Sequence, residues 1–252
     1  VVSIRDALAE RFAIAEELDS SYLERRKDHP FDKGEGWAMT PFSQVEMPLE
    51  EEALTKASEL ASTAILTIGR TAGEDRDNEA VKGAYYLGEE EESLLQLARN
   101  YFPKLIVFIN AGNIIDLSWT KTYEVDALLY VWQGGCETGN GIVDVLDGSV
   151  NPSGKLPDSI AYEVEDYPSH ANFGDGKENI YVEDIYVGYR YFETMAKEKV
   201  LYPFAYGLSY STFSLTCEET SADDEGFHFQ VRVENTGECA GKTVAQLYVK
   251  AP

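Results

Sequence analysis

Basic residues are scarce in this chain: 21 Lys and Arg stand against 45 Asp and Glu in 252 residues, a formal net charge of −24 at pH 7. Such a chain repels polyanions, which argues against nucleic acid and against an anionic membrane surface as partners. The acidity otherwise reads as a solvated surface and is held apart from function. Cysteine is scarce as well. Cys136, Cys217 and Cys239 are odd in number and widely spaced, which fits neither a disulfide framework nor a zinc cluster. A reducing compartment is favoured, and the cytoplasm is the expected location. The histidines, His29, His170 and His228, are too dispersed for a metal site or a triad. No apolar run reaches the length of a membrane span. The first residues, Val1-Val2-Ser3-Ile4-Arg5, do not form a signal peptide, and they begin abruptly, as though more chain precedes them.

What is present is a globular composition, 44% hydrophobic with 16 Tyr and 11 Phe, long enough for one or two domains. Ile4, Ala7, Leu8 and Phe12 recur at helical spacing and predict a short amphipathic helix. Residues 19–48 are polar and broken by Pro30, Pro41 and Pro48, which predicts irregular chain; Trp37 is expected to anchor that loop by packing, with a sugar platform as the alternative. Pro48 and Glu50–Glu52 open a helix over about 49–60. Three continuous apolar runs follow: Ser62–Gly69, Leu105–Ile109 and Val125–Trp132. A helix begun by Glu89–Glu92 lies between the first two. A short one around Ile114–Trp119 separates the others, and another over Ile142–Leu146 follows the third, stopped by Gly148. Apolar runs alternating with helices imply an α/β fold, a largely parallel sheet with helices on both faces. The four glutamates are read as complementing a helix N-terminus rather than as a metal site.

Three tempting motifs fail. The glycines of Gln133–Gly141 miss dinucleotide-binding spacing, and Gly148–Leu156 has an extra residue, a proline and no Ser or Thr to hold magnesium. Asp75-Arg76-Asp77-Asn78 starts like a calcium loop but has Ala80 where glycine is essential. After Pro157 the composition shifts. Residues 162–207 are rich in Tyr, Gly, Asp and Glu with little periodicity, as befits a covering or connecting segment. From about 211 the pattern becomes period-2, in Phe213–Leu215, Phe227–Val233 and Val244–Val249, with a turn at Asn235-Thr236-Gly237. These are expected to be half-buried antiparallel strands. A sandwich normally needs about seven, so a β-domain is expected to be incomplete in this sequence.

The stretch Arg70-Thr71-Ala72-Gly73-Glu74-Asp75-Arg76-Asp77-Asn78 is a charged loop at the C-terminal end of the first apolar run, where open α/β sheets place ligands. Taken alone it also reads as a solvated surface loop. As a general acid Glu74 needs a pKa above the ~4.3 of a free glutamate. Asp75 and Asp77 push it up, Arg70 and Arg76 pull it down, and Gly69, Gly73 and Gly83 would let the loop move. Arg76 has two roles open to it, pairing with Asp75 or Asp77 and reaching a substrate hydroxyl.

Four stretches together carry a resemblance: Gly73-Glu74-x-Arg76; Trp132–Gly139 running on to Leu156-Pro157; Val187-Gly-Tyr-Arg-Tyr-Phe192; and Tyr202–Phe213. They resemble glycoside hydrolase family 3, the β-glucosidase and β-xylosidase family, in its α/β sandwich domain and the start of its fibronectin type III-like domain. The resemblance implies an α/β sandwich over 1–161, a connecting segment over 162–210 and an incomplete β-domain over 211–252. It implies a retaining exo-β-glycosidase, β-glucosidase first, with β-xylosidase or another exo-β-glycosidase of the same family as one alternative and a non-catalytic carbohydrate-binding or scaffolding module lacking the barrel as the other. Glu74 would be the acid/base residue and Arg76 a substrate-binding residue. The nucleophile would come from a TIM-like barrel in the same or a companion chain. The implied partners are a β-linked oligosaccharide or glycoside and that barrel; a homodimer stays open. No cofactor and no metal are expected. The sequence departs from the family at Ala205, where glycine is usual, and at Cys136-Glu137-Thr138; both changes are expected to adjust packing rather than chemistry.

Overall fold

The computed structural model describes residues 1–71, 77–174, 177–178 and 180–249. Its centre is a three-stranded parallel sheet in the order β1-β2-β3, made by β1 (Thr63–Gly69), β2 (Lys104–Asn110) and β3 (Ala127–Tyr130). Spatial order follows chain order, with Thr63 opposite Lys104 and Ile106 opposite Ala127. Each apolar run becomes a strand, and the central one, β2, is buried on both of its faces. Leu105, Val107 and Ile109 of β2 join Ile68 in the main core, where Leu95 and Ala98 of α4 (Glu89–Tyr101) meet them. Phe108 points to the opposite face and is fully buried too. A strand covered on both faces has no reason to alternate with polar residues, which is why these runs read as continuous.

The other predicted helices form, except that the chain over Ile114–Ser118 is not helical and a single turn begins only at Trp119. Ser3 caps α1 (Ile4–Arg11) through its hydroxyl, which accepts the Asp6 amide at 3.1 Å. α3 (Glu51–Leu60) buries Leu54 and Ala57 against Phe102. α5 is one turn, Trp119–Thr122, and α6 (Thr138–Leu146) ends before Gly148, whose φ is +81°. α1 lies on α6, and Gly139 sets how closely: a Cβ there would meet the Ser3 carbonyl oxygen at 2.3 Å. Arg11 ties the pair further through Asp144 and Asp147, at 2.6 and 2.7 Å. Within the glycine run that imitates a nucleotide loop, Gly139 is therefore a packing feature.

Several expectations are corrected. Residues 19–48 are not irregular throughout, because Glu16–Asp28 form α2 with no buried residue. Trp37 does not anchor its loop by burial; it is 80% exposed. The 162–207 stretch contains α7 (Tyr189–Met195), three short 3-10 turns and β5 (Val200–Tyr202), which pairs antiparallel with β4 (Ile160–Ala161). Phe192 of α7 is buried between Ala161 and Ala196. The period-2 region makes one long hairpin, β6 (Phe213–Asp223) with β7 (Gly226–Asn235), closing at Asp223–Gly226. No strand forms over Val244–Val249, and Asn235-Thr236-Gly237 does not join two strands. Leu215, Phe227, Phe229 and Val233 are exposed rather than half-buried. A hairpin alone has nothing to pack its apolar residues against.

Two of the sequence strings that carry the resemblance are bonded to each other. The Leu156 amide donates to Tyr206 O and the Ala205 amide donates to Leu156 O, both at 2.8 Å. Asn151 accepts from the Ser209 hydroxyl and the Tyr210 amide at 2.8 and 2.9 Å, and Lys155 donates to the Gly207 carbonyl. Their specificity is that of a clasp joining the end of the sheet region to the entry of the hairpin.

Candidate functional site

The C-terminal ends of β1, β2 and β3 share one edge of the sheet, because the strands are parallel and in register. Three loops leave that edge. The first carries the sequence-derived site. Glu74 and Arg76, with Gly73 and Asp75, lie outside the described residues; both flanks of the loop are described.

On the leading flank, Arg70 continues β1 and donates its amide to the Asn110 carbonyl at 3.0 Å. Its side chain is bonded to described residues behind the sheet edge. It turns inward, only 1% exposed, and all five guanidinium N–H groups find acceptors. Nε donates to the Ala84 carbonyl at 2.8 Å, Nη1 to Gly69 O at 2.8 Å and Glu91 Oε1 at 2.6 Å, and Nη2 to Tyr86 O at 3.3 Å and Glu91 Oε2 at 2.8 Å. Glu91 sits in the first turn of α4 and its Oε2 also accepts the Gly88 amide at 2.7 Å. One carboxylate thus caps a helix and pairs with the loop's arginine, a bidentate, charge-assisted arrangement. Thr71 is held from the other side. Its amide donates to Phe42 O and its hydroxyl to Pro41 O, both at 2.9 Å. Nearby Glu46 is half-buried; burial pushes its carboxyl above the ordinary value, and the charge of Glu91 adds to the rise.

On the trailing flank, Asn78 Nδ2 donates to Ile114 O at 3.4 Å, and the Asp116 amide donates to Tyr85 O at 2.9 Å. These bonds lay the first loop upon the second, which follows β2. The second loop is in turn fixed by β3: the Tyr130 hydroxyl donates to Asn113 O at 2.6 Å and accepts the Ile115 amide at 3.1 Å. Burial pushes the Tyr130 phenol well up. Gly83 has φ +79° and closes a turn in which its amide meets Tyr86 O at 2.9 Å, so it serves as a fixed corner, not a hinge.

Other conspicuous side chains are placed as follows. Trp132 is half-buried with φ +54° and tilts against Tyr130, 4.4 Å between ring centroids. Glu137 is exposed and accepts from Asn140 at 2.6 Å. Glu89 and Glu92 of the acidic run pair with Lys82 at 3.6 and 3.0 Å. His228 is exposed beside Asp223. The three cysteines are free and exposed. Among the described residues no group of His, Cys, Asp and Glu is gathered to hold a metal ion, and no helix is long and apolar enough to cross a membrane. The Arg70–Glu91 pair was not anticipated. Its one signal in the sequence is Glu91 standing three residues after Gly88 at a helix start, the spacing of a capping box.

Comparison with known proteins agrees with this architecture. The family described as the glycosyl hydrolase family 3 C-terminal domain matches residues 1–210. A beta-glucosidase of Ruminococcus albus is 46% identical over all of this chain, and beta-glucosidase A of Butyrivibrio fibrisolvens is 38% identical over 82% of it. The chain spans only 27% and 30% of those two relatives. The crystal structure of a beta-glucosidase from Paenibacillus barengoltzii superposes with a TM-score of 0.91 at 44% identity, covering 96% of this chain and 27% of that one. Beta-glucosidase 3B of Thermotoga neapolitana, solved with glucose, gives 0.82 at 35% identity over 94% of this chain and 34% of its own. With a matched fold over nearly its whole length and a family match over residues 1–210, this chain belongs to glycosyl hydrolase family 3, as its C-terminal α/β domain followed by the start of a fibronectin type III-like domain.

Proposed function

We propose that this chain is the acid/base-bearing part of a retaining exo-β-glucosidase, with Glu74 as the proton donor. The observation that carries the proposal is the 46% identity to a beta-glucosidase across the entire chain. The bolted flanks of the Glu74 loop at the C-terminal edge of the sheet support it. Retaining hydrolysis uses two carboxylates about 5–5.5 Å apart. One attacks the anomeric carbon and forms a glycosyl ester as the leaving oxygen takes a proton from the other. Glu74, now a carboxylate, then removes a proton from the water that attacks the ester. The sugar leaves with its configuration retained and the nucleophile is regenerated. The nucleophile belongs to a TIM-like barrel in the same or a companion chain, which meets the edge that presents the Glu74 loop. Arg76 reaches a substrate hydroxyl or pairs with a loop aspartate. The three exposed thiols suit a reducing compartment, which supports a cytoplasmic location.

The test is the product formed by the full-length enzyme. Proton NMR of aryl β-glucoside hydrolysis should show β-glucose first, with the α anomer growing in by mutarotation. Release of α-glucose first would exclude the retaining reading. Faster release of xylose than of glucose from matched aryl glycosides would move the assignment to a β-xylosidase.

A further inference from the structure

The Arg70–Glu91 pair does more than a surface ion pair could. It is buried on both sides, with side chains 1% and 9% exposed. Through one guanidinium it binds the residue that ends β1, Gly69, and two residues that end the loop, Ala84 and Tyr86. Through one carboxylate it fixes that guanidinium to the first turn of α4 and to Gly88. Both ends of the loop are therefore cross-linked at a single buried point. Along the chain Glu74 is three residues from Thr71 and three from Asp77, between the two flanks that these bonds fix. Thr71 follows the clamp directly and is bonded to Pro41 and Phe42.

We infer that Arg70 and Glu91 are positioning residues, which hold the Glu74 loop at the sheet edge and act on catalysis only through Glu74. The inference rests on the proposed acid/base role. Its chemical consequence is selective. A leaving group that needs a proton requires the acid within hydrogen-bond reach, and a displacement of about 1 Å can cost ~100-fold. A leaving group that departs as a stable anion needs no such help in the first step. A loosened clamp should therefore damage the two kinds of substrate unequally, whereas a merely destabilised domain would lower both together.

The experiment uses the full-length enzyme with cellobiose and 2,4-dinitrophenyl β-glucoside. The double variant Arg70→Met/Glu91→Leu removes both charges at once, so neither is left buried alone. It should fold with a lowered thermal midpoint, because the Ala84, Gly69 and Tyr86 carbonyls and the Gly88 amide lose their partners. It should lose about 100-fold in kcat/KM on cellobiose, carried by kcat, with less than about tenfold loss in kcat/KM on the dinitrophenyl substrate. Arg70→Lys keeps a charge against Glu91 but loses the fork to three carbonyls. It should show the same split at smaller size, and it serves if the double variant does not fold. Glu74→Gln is run beside them. If Glu74→Gln impairs cellobiose cleavage while the clamp variants that fold keep the wild-type ratio between substrates, the inference is overturned and the acid assignment stands. If Glu74→Gln cleaves cellobiose at the wild-type rate, the acid assignment itself falls and the clamp loses its object.

Discussion

Arg70 and Asp147 illustrate two ways a charged side chain is used here. Arg70 is desolvated, and such a charge is tolerable only when every donor is met; five acceptors meet it. Removing either partner alone leaves a buried uncompensated charge, a loss of about 3–5 kcal/mol, while exchanging both for apolar groups can be neutral. Asp147 is solvent-facing. The Ser149 hydroxyl and amide, and then Arg11, hold its carboxyl down to about 2 from its ordinary 3.8. A carboxyl with a depressed folded-state pKa stabilises the fold above its unfolded value, and that contribution is lost as pH falls through its folded value. A carbon-detected NMR titration should place the Asp147 midpoint near 2, and Ser149→Ala should raise it toward 3.8; an unchanged midpoint in the variant would remove the serine from the account. Neither arrangement was legible in the sequence. A charged residue just after a strand reads as part of an exposed loop, and Glu91 is one of four successive glutamates with nothing local to single it out. The information that separates Arg70 from Arg76 is tertiary, a partner 21 residues along the chain.

At the scale of elements, legibility followed burial. α4 carries an apolar stripe and the three sheet strands are continuous apolar runs, so the sequence pattern placed them within two residues of the observed bounds. α2 has no fully buried residue and no such pattern. Its signal is electrostatic: Glu16, Glu17 and Asp19 in the first turn, Arg25, Arg26 and Lys27 in the last, which matches the helix dipole. α7 follows Gly188 at φ +60° and is one short helix among many tyrosines, too brief for periodicity to declare. The hairpin errs the other way. Period-2 patterning is present in Val244–Val249, but a strand also needs a neighbour to bond with, and none is supplied there among the described residues. The α1–α6 contact gives a direct test of element packing. Gly139→Ala places a methyl 2.3 Å from the Ser3 carbonyl oxygen. The two helices must separate, and overpacking of this kind costs about 1–3 kcal/mol. A urea titration of the domain should register that loss, whereas Gly141→Ala, whose added methyl meets open space, should not.

At the scale of the whole molecule, the chain is a sheet edge that presents a loop, joined by a clasp to a hairpin with an exposed apolar face. It spans 27% of the R. albus relative, and a two-carboxylate reaction needs a second carboxylate that this account assigns to a barrel. Apolar side chains at Ile180, Tyr181, Val182, Ile185 and Val187, each more than half exposed, are the kind of surface that a larger assembly covers. The fold and the family were legible from strings of sequence because those strings encode packing, the clasp of Asn151 with Ser209 and Tyr210 among them. The site was legible only as a place, the loop after β1. The central claim is that Glu74 is the acid/base residue, and Glu74→Ala in the full-length enzyme tests it most directly, through turnover of cellobiose and of 2,4-dinitrophenyl β-glucoside with and without azide. The account predicts near loss of cellobiose cleavage and milder loss of glycosylation on the activated substrate. It also predicts azide rescue that yields the glycosyl azide of retained configuration. Wild-type turnover of both substrates without azide would contradict it.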